Sequence, residues 1–266
     1  MRFYVVTDQG SREYMEDRHV AAKVSNSSHV AAVFDGHSGD DVSQYCSTSY
    51  AQHLSDALSL YREDDVLAIK DSLDKIDASA KLLLQKTSAG TTACVVMIHP
   101  TSIVTANVGD SRAILFSRED GGVTFDLSRD HKPSDPAEHD RILRSGGFVT
   151  QPHQTDGVHR VMGRLSLSRA LGDWELRPWV SPASDVTVHE RKLEDTFVVI
   201  ATDGIWDVMS SDEVGRKING SLMEGLKPQD ALQRILEESR RRGSGDNVTI
   251  VLVDVGRGPL VPTKIL

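Results

Sequence analysis

The chain has 266 residues, 39% of them hydrophobic and 26% charged, an ordinary globular composition with enough length for one large domain or two small ones. Its 39 acidic and 30 basic residues leave a net charge of −9, which argues against a nucleic-acid partner, because backbone phosphates call for concentrated Lys and Arg. No apolar run approaches the roughly 20 residues that a membrane-spanning helix needs.

The opening MRFYVVTDQG predicts a strand over Phe3–Val6, and Asp8 interrupts it before a signal-peptide core can form. Motif-like residues begin as early as Arg12, which leaves room for a targeting extension upstream of this sequence. Short β-branched runs predict further strands at His19–Val24 and Val30–Phe34. Two consecutive helices follow, the first from Val42, Tyr45, Cys46, Tyr50, Leu54 and Leu58 at helical spacing, the second from Val66, Ile69, Leu73, Ile76, Ala80 and Leu83. Strands resume at Thr92–Ile98, Ile103–Val108 and Ala113–Phe116, with weaker signals at Val123–Phe125, Leu165–Ser168 and Val186–His189. After a strand at Val198–Thr202, Ser210 and Glu213 have capping-box spacing ahead of Val214 and Ile218. Pro228 then stands where a first-turn proline belongs, and Val248–Val255 forms the last strand. Such irregular grouping predicts an α+β fold of antiparallel sheets covered by helices. With no repeat and no linker, one domain is expected.

Cys46 and Cys94 sit in apolar contexts without CxxC spacing, which predicts buried free thiols in a reducing, intracellular compartment. The one dense basic run, Arg240 to Arg242, reads as a solvated helix end.

The carboxylates carry the chemistry. Asp35 in AAVFDGH, Asp110 in TANVGD and Asp203 in FVVIATDG each follow an apolar strand and adjoin a glycine. Asp246 precedes the last strand in GSGDNVTIVLVDV, and the pair Glu16 and Asp17 precedes the second. Any one of these alone is a turn, since Asp and Gly are turn residues. Together they fit strand ends aimed at a common point, where converging carboxylates repel one another unless cations neutralise them. All-oxygen ligands, with neither HxxxH nor HExxH spacing, point to Mg²⁺ or Mn²⁺ rather than zinc.

GSREYMED, VFDGHSG, GTT, GDSR, DHKP, SRALGD, ATDGIWDVM and GDNVTI occur in that order from about Phe3 to Val255, and in this combination the chain resembles the protein phosphatase 2C family. The resemblance implies one phosphatase catalytic domain over residues 1–266, with two stacked antiparallel β-sheets flanked by helices on both outer faces. It implies a cytoplasmic or nuclear monomer that dephosphorylates serine and threonine in phosphoproteins. It also implies two Mg²⁺ or Mn²⁺ ions, with a third, weaker one in some members. Residue by residue, Asp35 matches the carboxylate that bridges both metals, Gly36 a ligand through its carbonyl, and Asp203 and Asp246 the remaining ligands of one metal. Glu16 and Asp17 match the pair holding metal-bound waters. Arg12 resembles the phosphate-binding arginine and His37 the general acid. Asp110 and Asp207 match third-metal positions, and Asp173 of SRALGD a recurrent acidic position near them. One departure is DGHSG in place of the family's DGHGG, where Ser38 is strained by roughly 1 kcal/mol if its backbone needs positive φ.

Two metals sharing Asp35, about 3.5–4 Å apart, would acidify a bridging water for in-line attack without a phosphoenzyme. Neither cysteine lies in a CxxxxxR loop, which argues against a cysteine phosphatase. Three rivals stand beside this reading. A phosphatase-like binding module should have lost ligands, a nuclease is disfavoured by the charge, and a small-molecule phosphatase could use the same metal core. The variable stretch Val149–His159 is the expected specificity element.

Overall fold

The computed structural model describes residues 1–62, 64–151 and 157–256. Its central strands are buried on both faces, so alternate side chains feed two different cores. One antiparallel sheet has the order β1 (Arg2–Asp8), β15 (Val248–Asp254), β14 (Asp195–Ala201), β8 (Arg112–Ser117), β9 (Val123–Asp126). The other runs β13 (Asp185–Glu190), β7 (Ser102–Val108), β6 (Ala93–Ile98), β3 (His29–Phe34), β2 (Arg18–Lys23), again antiparallel throughout. Val33, Val96, Ile103, Leu115, Ile200 and Val251 mesh between the sheets. Their chain neighbours Phe34, Val95, Val104, Ile114, Val199 and Ile250 belong to the two outer cores beneath the helices.

Helices α1 (Asp41–Tyr61) and α2 (Asp65–Leu83) cover the second sheet with Tyr50, Leu54, Ile69 and Leu73. Helices α5 (Ser211–Met223) and α6 (Pro228–Arg241) cover the first with Val214, Ile218, Leu232 and Ile235. The result is the helix–sheet–sheet–helix stack expected from the sequence. Ser210 and Glu213 form the capping box, each side chain accepting from the other's backbone N–H. Cys46 and Cys94 are buried and free. Among the described residues, no helix is long and apolar enough to cross a membrane.

Several details depart from expectation. Helix α3 (Pro136–Arg144) was not predicted, and it packs Ile142 with Val149, Val161, Leu176 and Val180 into a small separate core. A one-turn helix, α4 (Asp203–Trp206), also escaped notice. Leu165–Ser168 is not a strand, only a single bridge from Leu165 to Val161. Leu83, counted on the apolar face of α2, is 67% exposed at its end. Two-residue strands β4 (Gly36–His37), β5 (Gly90–Thr91) and β12 (Leu171–Gly172) make a three-stranded sheet, while β10 (Val149–Thr150) pairs with β11 (Arg160–Val161). Of the expected specificity stretch Val149–His159, residues 152–156 lie outside the described residues.

Leu73 is fully buried in the outer core under α2, whereas Val188 on the edge strand β13 is 58% exposed. Leu73→Ala is therefore expected to cost about 2–5 kcal/mol in chemical denaturation, and Val188→Ala no more than about 0.5 kcal/mol. Equal losses would contradict this layer assignment.

Candidate active site

The strand ends deliver carboxylates from both sheets to one edge of the stack. Asp35 follows β3 and Asp110 follows β7 in one sheet; Asp203 follows β14 and Asp246 precedes β15 in the other. Oxygens of Asp35, Asp110 and Asp203 all lie within 4.8 Å of one another. Asp17, just ahead of β2, is buried beside them; its Oδ2 accepts from the Thr202 hydroxyl at 2.8 Å. Thr202 in turn accepts from the Thr249 N–H of its own sheet at 3.0 Å, so the bond from Thr202 to Asp17 ties the two sheets together at the site.

Local hydrogen bonds fix where each carboxylate points. The Asp35 N–H donates to Thr92 Oγ1 at 3.0 Å, and the Thr92 N–H donates to the Asp35 carbonyl at 2.9 Å. Thr92 Oγ1 also contacts Ser111 Oγ at 2.7 Å. Gly109, at φ +103°, lies so close to Thr92 that a Cβ there would overlap its side chain. The loops bearing Asp35 and Asp110 thus rest on one threonine. Asn247 does similar work for the N-terminal loop: its Oδ1 accepts from the Glu16 N–H at 2.7 Å, and its Nδ2 donates to the carbonyls of Gln9 and Tyr14.

The electrostatics are those of an acidic trap. Burial, then the charges of Asp203, Asp17, Asp110 and Asp246, push the Asp35 carboxyl well above its usual range. Burial, then Asp110 and Asp207, do the same to Asp203. Asp17 is raised to about 6, first by burial and then by Asp246, against the lowering effect of the threonine hydroxyls. Among the described residues its Oδ1 is buried without a hydrogen-bond partner. Two tethered cations offset part of this charge. Lys132 Nζ lies 2.8 Å from Asp110 and 3.3 Å from Asp207, and Arg12 reaches Asp246 at 2.7 Å. A surplus of hard oxygen donors and an orphaned buried carboxylate oxygen fit divalent cations of the Mg²⁺ or Mn²⁺ kind.

The other expected site residues fall as follows. Glu16 accepts from the Gly39 N–H at 2.6 Å, which pins the DGHSG loop. Gly36 is buried in β4. Asp207 is exposed at the rim, attached only through Lys132 among its described ion pairs. Asp173 is not one of the converging trio; its Oδ2 lies 2.6 Å from His37 Nε2. Ser38 has φ +59°, so the strain foreseen for a serine at this position is present. Lys132, Thr202 and Asn247 went unnoticed as site residues, although Lys132 lies inside the DHKP motif.

The protein phosphatase 2C model matches residues 1–248. The chain belongs to the protein phosphatase 2C family. That family comprises metal-dependent serine/threonine protein phosphatases. Protein phosphatase 1L of Bos taurus is 34% identical over 264 residues, covering 94% of this chain and 71% of that protein. Among solved structures, serine-threonine phosphatase 2C from Toxoplasma gondii superposes with a TM-score of 0.84 at 26% identity, covering 95% of this chain and 94% of that one. A C. elegans sex determining protein gives 0.86 at 27% identity, covering 94% of this chain and 64% of that one.

For a 2C phosphatase stripped of metal, the raised carboxyls set a pH dependence. A carboxyl whose folded pKa exceeds its unfolded value favours folding when protonated. Asp17 therefore contributes stability that is full below its ordinary 3.8 and lost as pH rises through about 6, and Asp35 and Asp203 act in the same direction. Buried His131, its pKa lowered first by burial and then by Arg169, opposes the trend in acid. In EDTA, lowering the pH from about 7.5 to 5.5 should raise the unfolding free energy of wild type relative to Asp17→Asn by on the order of 1 kcal/mol. Parallel pH profiles for the two proteins would show that Asp17 titrates normally.

Proposed function

We propose that this chain, acting as a monomer, hydrolyses phosphoserine and phosphothreonine monoesters in proteins, using two Mg²⁺ or Mn²⁺ ions and no phosphoenzyme. The observation that carries this reading is the convergence of Asp35, Asp110 and Asp203 oxygens within 4.8 Å, beside the unpartnered oxygen of Asp17. In this reading Asp35, the Gly36 carbonyl, Asp203 and Asp246 would hold the two ions. Glu16 and Asp17 would hold water around them, and Asp110 and Asp207 would hold a third, weaker ion. The ions, when bound, supply positive charge and an acidified water as nucleophile. Every acidic position this arrangement needs carries a carboxylate, which favours an active enzyme over a binding module.

The chain's own groups orient the phosphoryl unit and manage the proton. Arg12 has a side chain 60% exposed and tied only to Asp246 among its described ion pairs, so its planar fork is free to turn towards two phosphoryl oxygens. A serine alkoxide is a poor leaving group and needs a proton as the P–O bond breaks. His37 is the group that delivers it, oriented through Nε2 by Asp173.

Activity should vanish in EDTA and return with Mn²⁺ or Mg²⁺. Asp203→Asn should lower turnover about 100-fold or more while the protein stays folded, because the buried strand β14 carries the packing. Turnover within a few-fold of wild type would remove Asp203 from the ligand set.

General acid catalysis contributes roughly 10²–10⁴-fold, and only where the leaving group requires it. His37→Gln is expected to slow phosphopeptide hydrolysis far more than p-nitrophenyl phosphate hydrolysis, with chemistry rate-limiting. Equal losses would make His37 a residue that orients the site.

A further inference from the structure

The contact between His37 and Asp173 crosses the three-stranded sheet β4–β5–β12. His37 and Gly172 both pair with Gly90, one from each side. A Cβ on Gly90 would overlap Asp173 Oδ2 and stand 2.5 Å from His37 Nε2, so the missing side chain opens the passage in which the two groups meet. Asp173 itself holds φ +45°, a left-handed conformation that a non-glycine residue keeps only when its surroundings enforce it.

What enforces it lies on α2. Asp77 Oδ1 accepts from the Gly172 N–H at 2.8 Å and from the Trp174 indole N–H at 3.3 Å, the residues on either side of Asp173. Arg177 Nη2 donates to both carboxylate oxygens of Asp77, at 3.1 and 3.2 Å, and to the carbonyls of Ala170 and Gly172 at 3.3 and 2.9 Å. Asp77 and Arg177 have side chains only 14% and 20% exposed, which shields these bonds from competing water. The clamp grips the chain before and after Asp173 but does not touch Asp173 or His37 through any of these bonds.

We propose that Asp77 and Arg177 are positioning residues for His37: by fixing the backbone from Ala170 to Trp174 they hold Asp173 where its carboxylate accepts from the His37 Nε2–H and sets the direction of the ring, leaving Nδ1 as the nitrogen whose proton passes to the leaving oxygen. The inference rests on the reading of His37 as proton donor. A carboxylate only accepts here, so the Nε2–H donates to Asp173, and loosening the clamp frees the imidazole to rotate, so that Nδ1 loses its aim.

The test uses Asp77→Asn and Arg177→Gln in the Mg²⁺-loaded protein. Nitrogen-15 histidine spectra should show a hydrogen-bonded His37 Nε2–H in wild type that is lost or averaged in both variants. Phosphopeptide kcat should fall about tenfold while p-nitrophenyl phosphate turnover stays within about twofold. Trp174→Phe, which removes one donor to Asp77 and no charge, should move both readouts the same way by less, and it serves if the charged variants do not fold. Folded variants that keep the wild-type His37 signal and substrate preference would overturn the clamp. Should His37→Gln lose both substrates equally, the proton-donor reading falls, while the spectra still decide whether Asp77 and Arg177 position the ring.

Discussion

Three carboxylates held within 4.8 Å of one another are the constraint the rest of this fold accommodates. Two unit charges 4 Å apart repel by about 4 kcal/mol at an effective dielectric near 20, so a flexible loop cluster would spread until the charges separated. Here the carboxylates stand on the ends of strands whose every other residue is locked into a close-packed core. Moving Asp35 away from Asp203 means shearing one sheet against the other across that core. Local bonds remove the remaining freedom: Thr92 holds the Asp35 backbone from both directions, and Thr202 bridges to Asp17 from the facing sheet.

The chain answers part of the charge with its own cations, and the two differ in kind. Lys132 is held in place, because the residue before it is locked to the Asp110 loop. The His131 N–H donates to the Gly109 carbonyl at 2.9 Å, and the Gly109 N–H donates to His131 Nδ1 at 3.1 Å. Since a backbone N–H can only donate, the His131 proton sits on Nε2, facing Asp185 at 3.2 Å. Burial, the largest influence on this ring, together with the Arg169 charge, favours its neutral form, so the loop adds no further charge beside Lys132. Arg12 is the exposed counterpart, on an N-terminal loop that Asn247 fastens at its base. Lys132 stands against the buried Asp110 and Arg12 against the rim carboxylate Asp246, so the two cations offset the acidic charge from different depths.

Much of this was legible in the sequence because the informative patterns are local. Short β-branched runs gave the ten principal strands to within a few residues, except that the weak Leu165–Ser168 signal was only a bridge. Asp-Gly after an apolar run located Asp35 and Asp203, and Gly-Asp located Asp110. Helix α3 was missed although Asp135 caps it and Pro136 opens it, because the nine residues PAEHDRILR are mostly polar and bury only Glu138 and Ile142. The two-residue strands β4, β5 and β12 have no period to detect. Residues whose role depends on distant partners were invisible for the same reason: Asp77 reads as one acid among several on α2, and only the fold brings it to Gly172, 95 positions away. Asp173 was read as part of the metal region from its motif, and its nearest ionic partner, His37, is 136 positions away.

The separate core under α3 suggests how such a site keeps its chemistry while its surroundings vary. Ile142, Val149, Val161, Ala170, Leu176 and Val180 share no member with the three cores that carry the strands. The connection between this lobe and the carboxylate edge is polar instead. Glu138 of α3 pairs with Arg141 and Arg169, Arg169 pairs with Asp185, and Asp185 meets His131 beside Lys132. Glu138 is held near a pKa of about 2 because its arginine hydrogen bonds more than offset the cost of burial. Directional ion pairs fix the lobe's orientation without requiring the interdigitated packing that would transmit a change of side-chain volume into the sheets. Substitutions in the α3 lobe can therefore leave the strand ends that hold the carboxylates where the two-sheet core puts them.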